Sequence, residues 1–324
     1  MSAVAALLSV ALVVLFFLPG PDDAALTRDE FLHGLLRDGG GGEGGAFART
    51  VIWEMRLPRL LVTMLVGSAL GASGLVMQAF FRNSLASPGL LGVSAGAAAG
   101  AVAAIGMGLA AVSPWTAPAA SVGGAFAATV LVAWMARGGA GTERLLLAGI
   151  GINAILGAVT SYVLTVIPMG FERNAQAFFW LFGGLENRSW EDVLAASPIL
   201  LCLAMLWPLG RPMDLLSLGA AEARSLGVDT HRLQVRLLVL STVMTALATA
   251  VAGTIGFVGI AVPHILRLLL GAEHRRLVPW TIVGGALFLL ACEIAGRHLG
   301  GMRVGIVTAF AGGPFFLYLL RHRR

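Results

Sequence analysis

The stretch from Pro58 to Phe81 constrains this chain more than any other. Its 24 residues carry one charge, Arg59, at the second position. As a helix they reach about 36 Å at 1.5 Å per residue, enough to cross a hydrocarbon core of about 30 Å. Two arginines mark one end, in Arg56-Leu-Pro-Arg59. A polar knot, Arg82-Asn-Ser-Leu-Ala-Ser-Pro88, marks the other and leads into the glycine-rich Leu91-Gly-Val-Ser-Ala-Gly-Ala97. Pro58 suits a first helical turn, where the N–H groups lack partners anyway.

The rest of the chain repeats this pattern. Hydrophobic residues make up 57% and charged residues 12%, with a mean hydropathy of +0.86. A soluble domain carries about 25% charged residues, so this is an integral membrane protein. Its 324 residues read as one domain, a single all-α bundle of many spans. All 22 basic residues are arginine. Without lysine there is no Walker A loop and no Schiff-base chemistry, so any use of ATP needs another chain. Cys202 and Cys292 both lie in apolar runs and read as buried thiols rather than a disulfide.

Taken in order, Ala3 to Leu18 is apolar but lacks the positive flank of a signal peptide, and is read as a retained first span. Residues 20–55 form an outer loop. Within it Thr27-Arg-Asp-Glu30 is a capping box opening an amphipathic surface helix, and Gly39 to Gly45 is a flexible tether. Span two is Pro58 to Phe81. Further spans are read at about 90–112, 117–135, 145–167, 193–209, 233–252, 260–270, 278–295 and 304–320, ten in all. The aromatic run Ala177-Phe-Phe-Trp-Leu-Phe-Gly183 is too short to cross and reads as a helix at the membrane surface. Gly67 and Gly71, and Gly92, Gly96 and Gly100, have the spacing that lets helix backbones approach closely, chiefly within one subunit.

Arginine counts orient the bundle. Thirteen arginines against five acids fall on one side, nine against twelve on the other. The richer side is read as cytoplasmic, with both termini there, Arg56 and Arg59 outside and Asn83 inside. This asymmetry, rather than a nucleic-acid patch, accounts for a pI near 10.4.

Two segments stand out. The cytoplasmic loop 211–232 holds Gly219, Glu222, Ala223, Arg224, Ser225, Leu226 and Gly227, a short helix bracketed by glycines, with Asp229 placed to cap the next span. So short a helix is marginal alone. It is either part of a solvated loop or, as we read it, a docking helix for a cytoplasmic partner. The other is Gly253-Thr-Ile-Gly-Phe-Val-Gly259, leading into Pro263-His264 and Arg267. Irregular backbone at membrane depth belongs inside protein or beside a water-filled pathway. His264 alone reads as a satisfied core histidine and Arg267 as snorkelling to the interface.

Together, Arg56-Leu-Pro-Arg59, Gln78, Arg82-Asn83, Leu91-Gly92, Leu218-Gly219 through Gly227, Gly256-Phe-Val-Gly259, Pro263-His264, Arg267 and Val304-Gly305 to Gly313-Pro-Phe-Phe316 resemble one family. It is the FecCD-type permease subunits of bacterial ABC importers for iron–siderophores, haem and vitamin B12, the type II importers. The resemblance covers essentially the whole chain. It implies a ten-span permease in the inner membrane, working as a homodimer with two separate ATP-binding subunits below and a periplasmic binding protein above. ATP and Mg would sit on the partner ATPase, and no cofactor or metal on this chain. Residues 219–227 would couple to the ATPase. Arg56, Arg59 and Arg297 would pair with acids on the binding protein, and Asn83 and Leu85 would contribute to the cytoplasmic gate.

Four positions depart from the family pattern: Ser84 and Thr254 replace usual prolines, Glu293 a usual aspartate, and Arg303 the proline before Val-Gly. Glu293 and Arg297 have the i,i+4 spacing of a helix ion pair. The main rival is an ion-coupled secondary transporter, which usually carries intramembrane acids and often inverted repeats. Here the spans are nearly free of acids. A membrane enzyme would need clustered ligands, and the six histidines are scattered. Met169 and Phe171 near the outer mouth read as hydrophobic filling rather than ligand contacts.

Overall fold

A computed structural model describes residues 2–17, 42–136 and 142–322. Among them every regular element is helical. The amphipathic helix after Thr27, the Gly39–Gly41 part of the tether and the turn before Gly141 lie outside the described residues.

The helices are α1 (Ser2–Phe17), α2 (Gly42–Thr50), α3 (Leu57–Phe81), α4 (Val93–Gly106), α5 (Thr116–Met135), α6 (Thr142–Val166) and α7 (Phe171–Phe182). After these come α8 (Trp190–Ala196), α9 (Pro198–Leu206), α10 (Gly210–Leu218), α11 (Ala220–Ser225), α12 (Thr230–Ala252), α13 (Val258–Leu270), α14 (His274–His298) and α15 (Val304–His322). Among the described residues six helical stretches are long and apolar enough to cross a membrane and four shorter ones are apolar, in keeping with the ten spans expected.

α3 is apolar all round because it is the core: from Val66 to Phe81 every residue is buried. Its start differs from the expectation. The helix does not begin at Pro58. It runs on from α2 through a π turn, Val51–Arg56, in which the Leu57 N–H reaches back five residues to the Ile52 carbonyl. A proline inside a helix collides with the carbonyl four residues earlier, and the wider turn just ahead of Pro58 gives that carbonyl room. The tether from Gly42 to Gly45 is likewise helical. α4 is shorter than its expected span because Gly108, in the left-handed region at φ 76°, ends it. The sixth span is longer, running from Trp190 to Leu218.

Glycine sets how closely the helices meet, within the subunit as read. A Cβ on Gly67 would stand 2.3 Å from the Gly285 carbonyl oxygen of α14, and one on Gly96 the same distance from Gly124 of α5. α3, α14, α12 and α13 thus form one tight group, and α4 with α5 another beside it. α6 stands at the edge, exposing Leu147, Ile150, Ile155 and Tyr162. Cys202 and Cys292 are free, buried thiols.

Candidate functional site

At the end that the arginine count reads as outer, and that is called so below, the structure brings Arg56, Arg59 and Arg297 together. With Arg188, Glu54 and Phe16 they line a cavity of about 280 Å³. Each guanidinium is engaged inside the chain. Arg59 donates through Nε to Glu293 Oε1 at 2.7 Å and pairs with it again through Nη2. Arg56 is only 5% exposed and donates to the Phe17 carbonyl. Arg297 donates to the Phe16 carbonyl at 2.8 Å and lies over the Phe16 ring. The local Glu293–Arg297 spacing is therefore not the ion pair that forms. Glu293 turns into the α3–α14 contact, 3% exposed, where Arg59 meets it.

Arg188 has nothing in the sequence to single it out, being one of nine arginines that the count reads as outer. It donates to the Val251 carbonyl at 2.8 Å, pairs with Asp192 at 3.2 Å and covers the Phe179 ring. Trp190 Nε1 donates to the Trp53 carbonyl at 3.1 Å and ties α8 to the π turn. Arg303 has a buried Nη1 without a hydrogen-bond partner, just before α15. Met169 packs beside the Trp180 cluster, whereas Phe171 is 90% exposed, so filling describes the first and not the second.

An open cleft of about 710 Å³ lies beside the glycine-rich break. Ser94 of α4, Phe182 of α7, the Thr254–Gly256 break and Gly305, Phe310 and Pro314 of α15 line it, and among the described residues no ionisable side chain does. The glycine-rich break thus borders open space, as irregular backbone at this depth should. Gly253, at φ 67°, ends α12, and Phe257 takes φ 66° to start α13. A left-handed Phe costs on the order of 1–2 kcal/mol and needs support. Gly312 supplies it, its Cα so close to the Phe257 ring that a Cβ would fall 2.3 Å from the Phe257 Cβ. Thr254 earns its departure from proline. Its N–H and Oγ1 both donate to the Trp180 carbonyl, at 3.0 and 3.1 Å, and Oγ1 also reaches the Leu181 carbonyl. His264 is buried, edge-on to Phe315.

At the opposite end, read from the arginine count as inner, α3 closes on Arg82 in the left-handed region, φ 49°, and the Asn83 N–H returns to the Gln78 carbonyl at 3.1 Å. Asn83 Oδ1 then accepts from the Leu85 N–H at 3.0 Å, an Asx turn that holds Asn83-Ser84-Leu85 without proline. Asn83 is exposed and Leu85 half-buried, and neither borders that cleft. Gly89 does, held by Asn153 Nδ2 at 2.9 Å.

Within the segment 219–227 a short helix forms. Gly219 (φ 136°) and Gly227 (φ 85°) bracket α11. Ala223 is fully buried, its N–H on the Gly219 carbonyl at 2.9 Å and its carbonyl accepting from Val228 at 3.0 Å. Glu222, Arg224, Ser225 and Leu226 face outward. Leu218 and Leu226, 63% and 58% exposed, flank the turn as an apolar pair. Asp229 caps α12, accepting from the Arg232 N–H at 3.0 Å.

Known proteins share this architecture. A solved structure described as an inward-facing conformation of a metal-chelate type ABC transporter superposes with a TM-score of 0.85 over 99% of both chains, at 29% identity. The cobalamin import permease BtuC of Halobacterium salinarum is 43% identical across 85% of this chain and 74% of its own length. The hemin transport permease HmuU of Yersinia pestis is 41% identical across 84% of each. The FecCD transport family matches residues 3–322, and the chain is a multi-pass membrane permease belonging to that family.

Proposed function

We propose that this chain is the membrane-spanning subunit of an ATP-driven importer. It takes a metal chelate such as cobalamin, haem or an iron–siderophore from a binding protein outside the cytoplasmic membrane. The observation that carries the reading is the open cleft of about 710 Å³ without an ionisable lining side chain among the described residues, in a chain that also has an arginine-lined cavity and an exposed short helix. Such a wall offers a large ligand passage without coordinating it. The names of the relatives, cobalamin and hemin permeases, supply the cargo class.

In this reading the chain pairs with a second copy, and two ATP-binding subunits carry ATP and Mg. Leu218 and Leu226 seat α11 in those subunits, while Arg297 and the rim of the outer cavity meet acids on the binding protein. Arg56 and Arg59 hold that rim in place as well as lending it charge. Asn83 and Leu85 belong to the inner gate. The arginine excess sets both termini in the cytoplasm.

Reconstitution into proteoliposomes tests this. The permease alone should show neither ATP hydrolysis nor ATP-driven uptake, and adding the ATP-binding subunits and binding protein should restore both. Uptake by the permease alone, driven by a proton or sodium gradient, would establish the secondary-transporter reading instead.

A further inference from the structure

α14 begins without a cap of its own. Glu273 occupies the N-cap position and makes no side-chain cap bond. Instead Asp214 of α10 reaches across: its Oδ1 accepts from the His274 main-chain N–H at 2.6 Å and from the His274 ring Nδ1 at 2.8 Å. His274 is buried there, and its other ring nitrogen has no hydrogen-bond partner. The two backbones touch one turn earlier, where a Cβ on Gly210 would stand 2.9 Å from the Arg275 Cα. Pro279 lies inside the second turn of α14 and donates nothing to the carbonyl behind it, which leaves this start more dependent on an outside cap.

Asp214 is five residues before Gly219, so the cap on α14 comes from the helix that leads directly into 219–227. The far end of α14 carries Glu293 and Arg297. In between, α14 is locked to α3 by the Gly67–Gly285 contact and by Ser68 Oγ donating to the Ile282 carbonyl at 2.9 Å. One helix of about 37 Å therefore joins a side chain beside the cytoplasmic segment to the outer arginine cavity.

We propose that the Asp214–His274 junction is a positioning link through which displacement of the 219–227 segment is passed along α14 to the outer arginine cavity. The inference rests on the import role proposed above. A displaced α10 either carries the start of α14 with it or breaks two hydrogen bonds at a buried imidazole, and the former is the less costly course. Packed elements respond as units of this kind because they have discrete arrangements rather than continuous ones.

The test uses the full complex in nanodiscs, permease with its ATP-binding subunits, with and without binding protein. Asp214→Ala removes the acceptor of both hydrogen bonds, and Asp214→Asn keeps a neutral oxygen for the His274 N–H. The expected result is that Asp214→Ala still assembles and hydrolyses ATP at the basal rate. Its stimulation by binding protein should fall at least about fivefold, the lower edge of ordinary coupling strengths, and Asp214→Asn should recover most of it. His274→Ala should add nothing further in the Asp214→Ala background. Unchanged stimulation in an assembled Asp214→Ala complex overturns the link, as do independent, multiplying losses from the two substitutions. Failure of Asp214→Ala to assemble also overturns it, by making the junction a staple of the fold. A wild-type complex with no stimulation at all would instead remove the import role on which the inference stands.

Discussion

The two ends of the molecule are built on opposite plans. At the outer end Arg56, Arg59, Arg188 and Arg297 are bonded inward, to Glu293, to main-chain carbonyls and to aromatic rings. At the inner end α11 presents Glu222, Arg224, Ser225 and Leu226 outward and buries Ala223 alone. One end has a shape before any partner arrives. The other offers a surface that is finished only by what lands on it. Charge at the outer end therefore serves two purposes, and a substitution there disturbs the fold as well as any docking. At the inner end the two effects separate.

The largest expected effect probes that entanglement. Arg59→Leu leaves Glu293 as an uncompensated carboxylate in the α3–α14 contact, 3% exposed, and should destabilise the detergent-solubilised permease by about 3–5 kcal/mol. Arg59→Leu with Glu293→Leu removes both charges and should return most of that loss. Thermal unfolding of the two variants decides the matter: a double variant no more stable than the single one would mean that the ion pair is not what Arg59 supplies. Charge reversal at Arg297, which donates to a carbonyl of α1 and lies over the Phe16 ring, probes docking. Arg297→Glu should weaken binding-protein capture most at low salt, where surface charges are least screened.

Ala223→Pro comes next. It deletes the 2.9 Å bond to the Gly219 carbonyl and costs about 3 kcal/mol within a six-residue helix. Because α11 touches only its neighbours α10 and α12 among the elements it meets most, the global melting temperature should hold while ATP hydrolysis uncouples from uptake. A large drop in melting temperature would erase the contrast between the ends.

Between the ends, Thr254→Val removes the hydroxyl from the Trp180 and Leu181 carbonyls but keeps the 3.0 Å main-chain bond. About 1 kcal/mol of stability should go. Thr254→Pro removes the N–H as well and should cost more, despite restoring the family's usual residue. Equal melting temperatures for the two would show that the main-chain bond contributes little.

The same contrast explains what could be read from the sequence. The spans, the 219–227 turn and the Asp229 cap were legible because each is local: an apolar run, two glycines, an acid one residue ahead of a helix. The 253–259 break was legible because glycine at membrane depth needs a reason. What could not be read is what forms across helices. Glu293 looked to Arg297 four residues on, and only the meeting of α3 with α14 places Arg59 nearer. Asp214 and His274 are 60 residues apart, with nothing in either neighbourhood to mark them. Pro58 misled for a related reason, since a π turn leaves no simple trace in residue order.

Leu226→Glu should have the smallest effect on stability and is the sharpest separation of the two plans. Leu226 is 58% exposed at the end of α11, so a charge there meets solvent, and the melting temperature should shift by no more than about 0.5 kcal/mol allows. Its exposure is costly only if something apolar is meant to cover it, together with Leu218 on the other flank. Placing a carboxylate in that contact should reduce capture of the ATP-binding subunits, measured by co-purification, while insertion and folding stay intact. The matched variant Leu226→Met keeps the apolar surface and should retain assembly. If Leu226→Glu assembles as well as wild type, the apolar pair is not the seat of the partner, and the exposed charges Glu222 and Arg224 become the residues to reverse next.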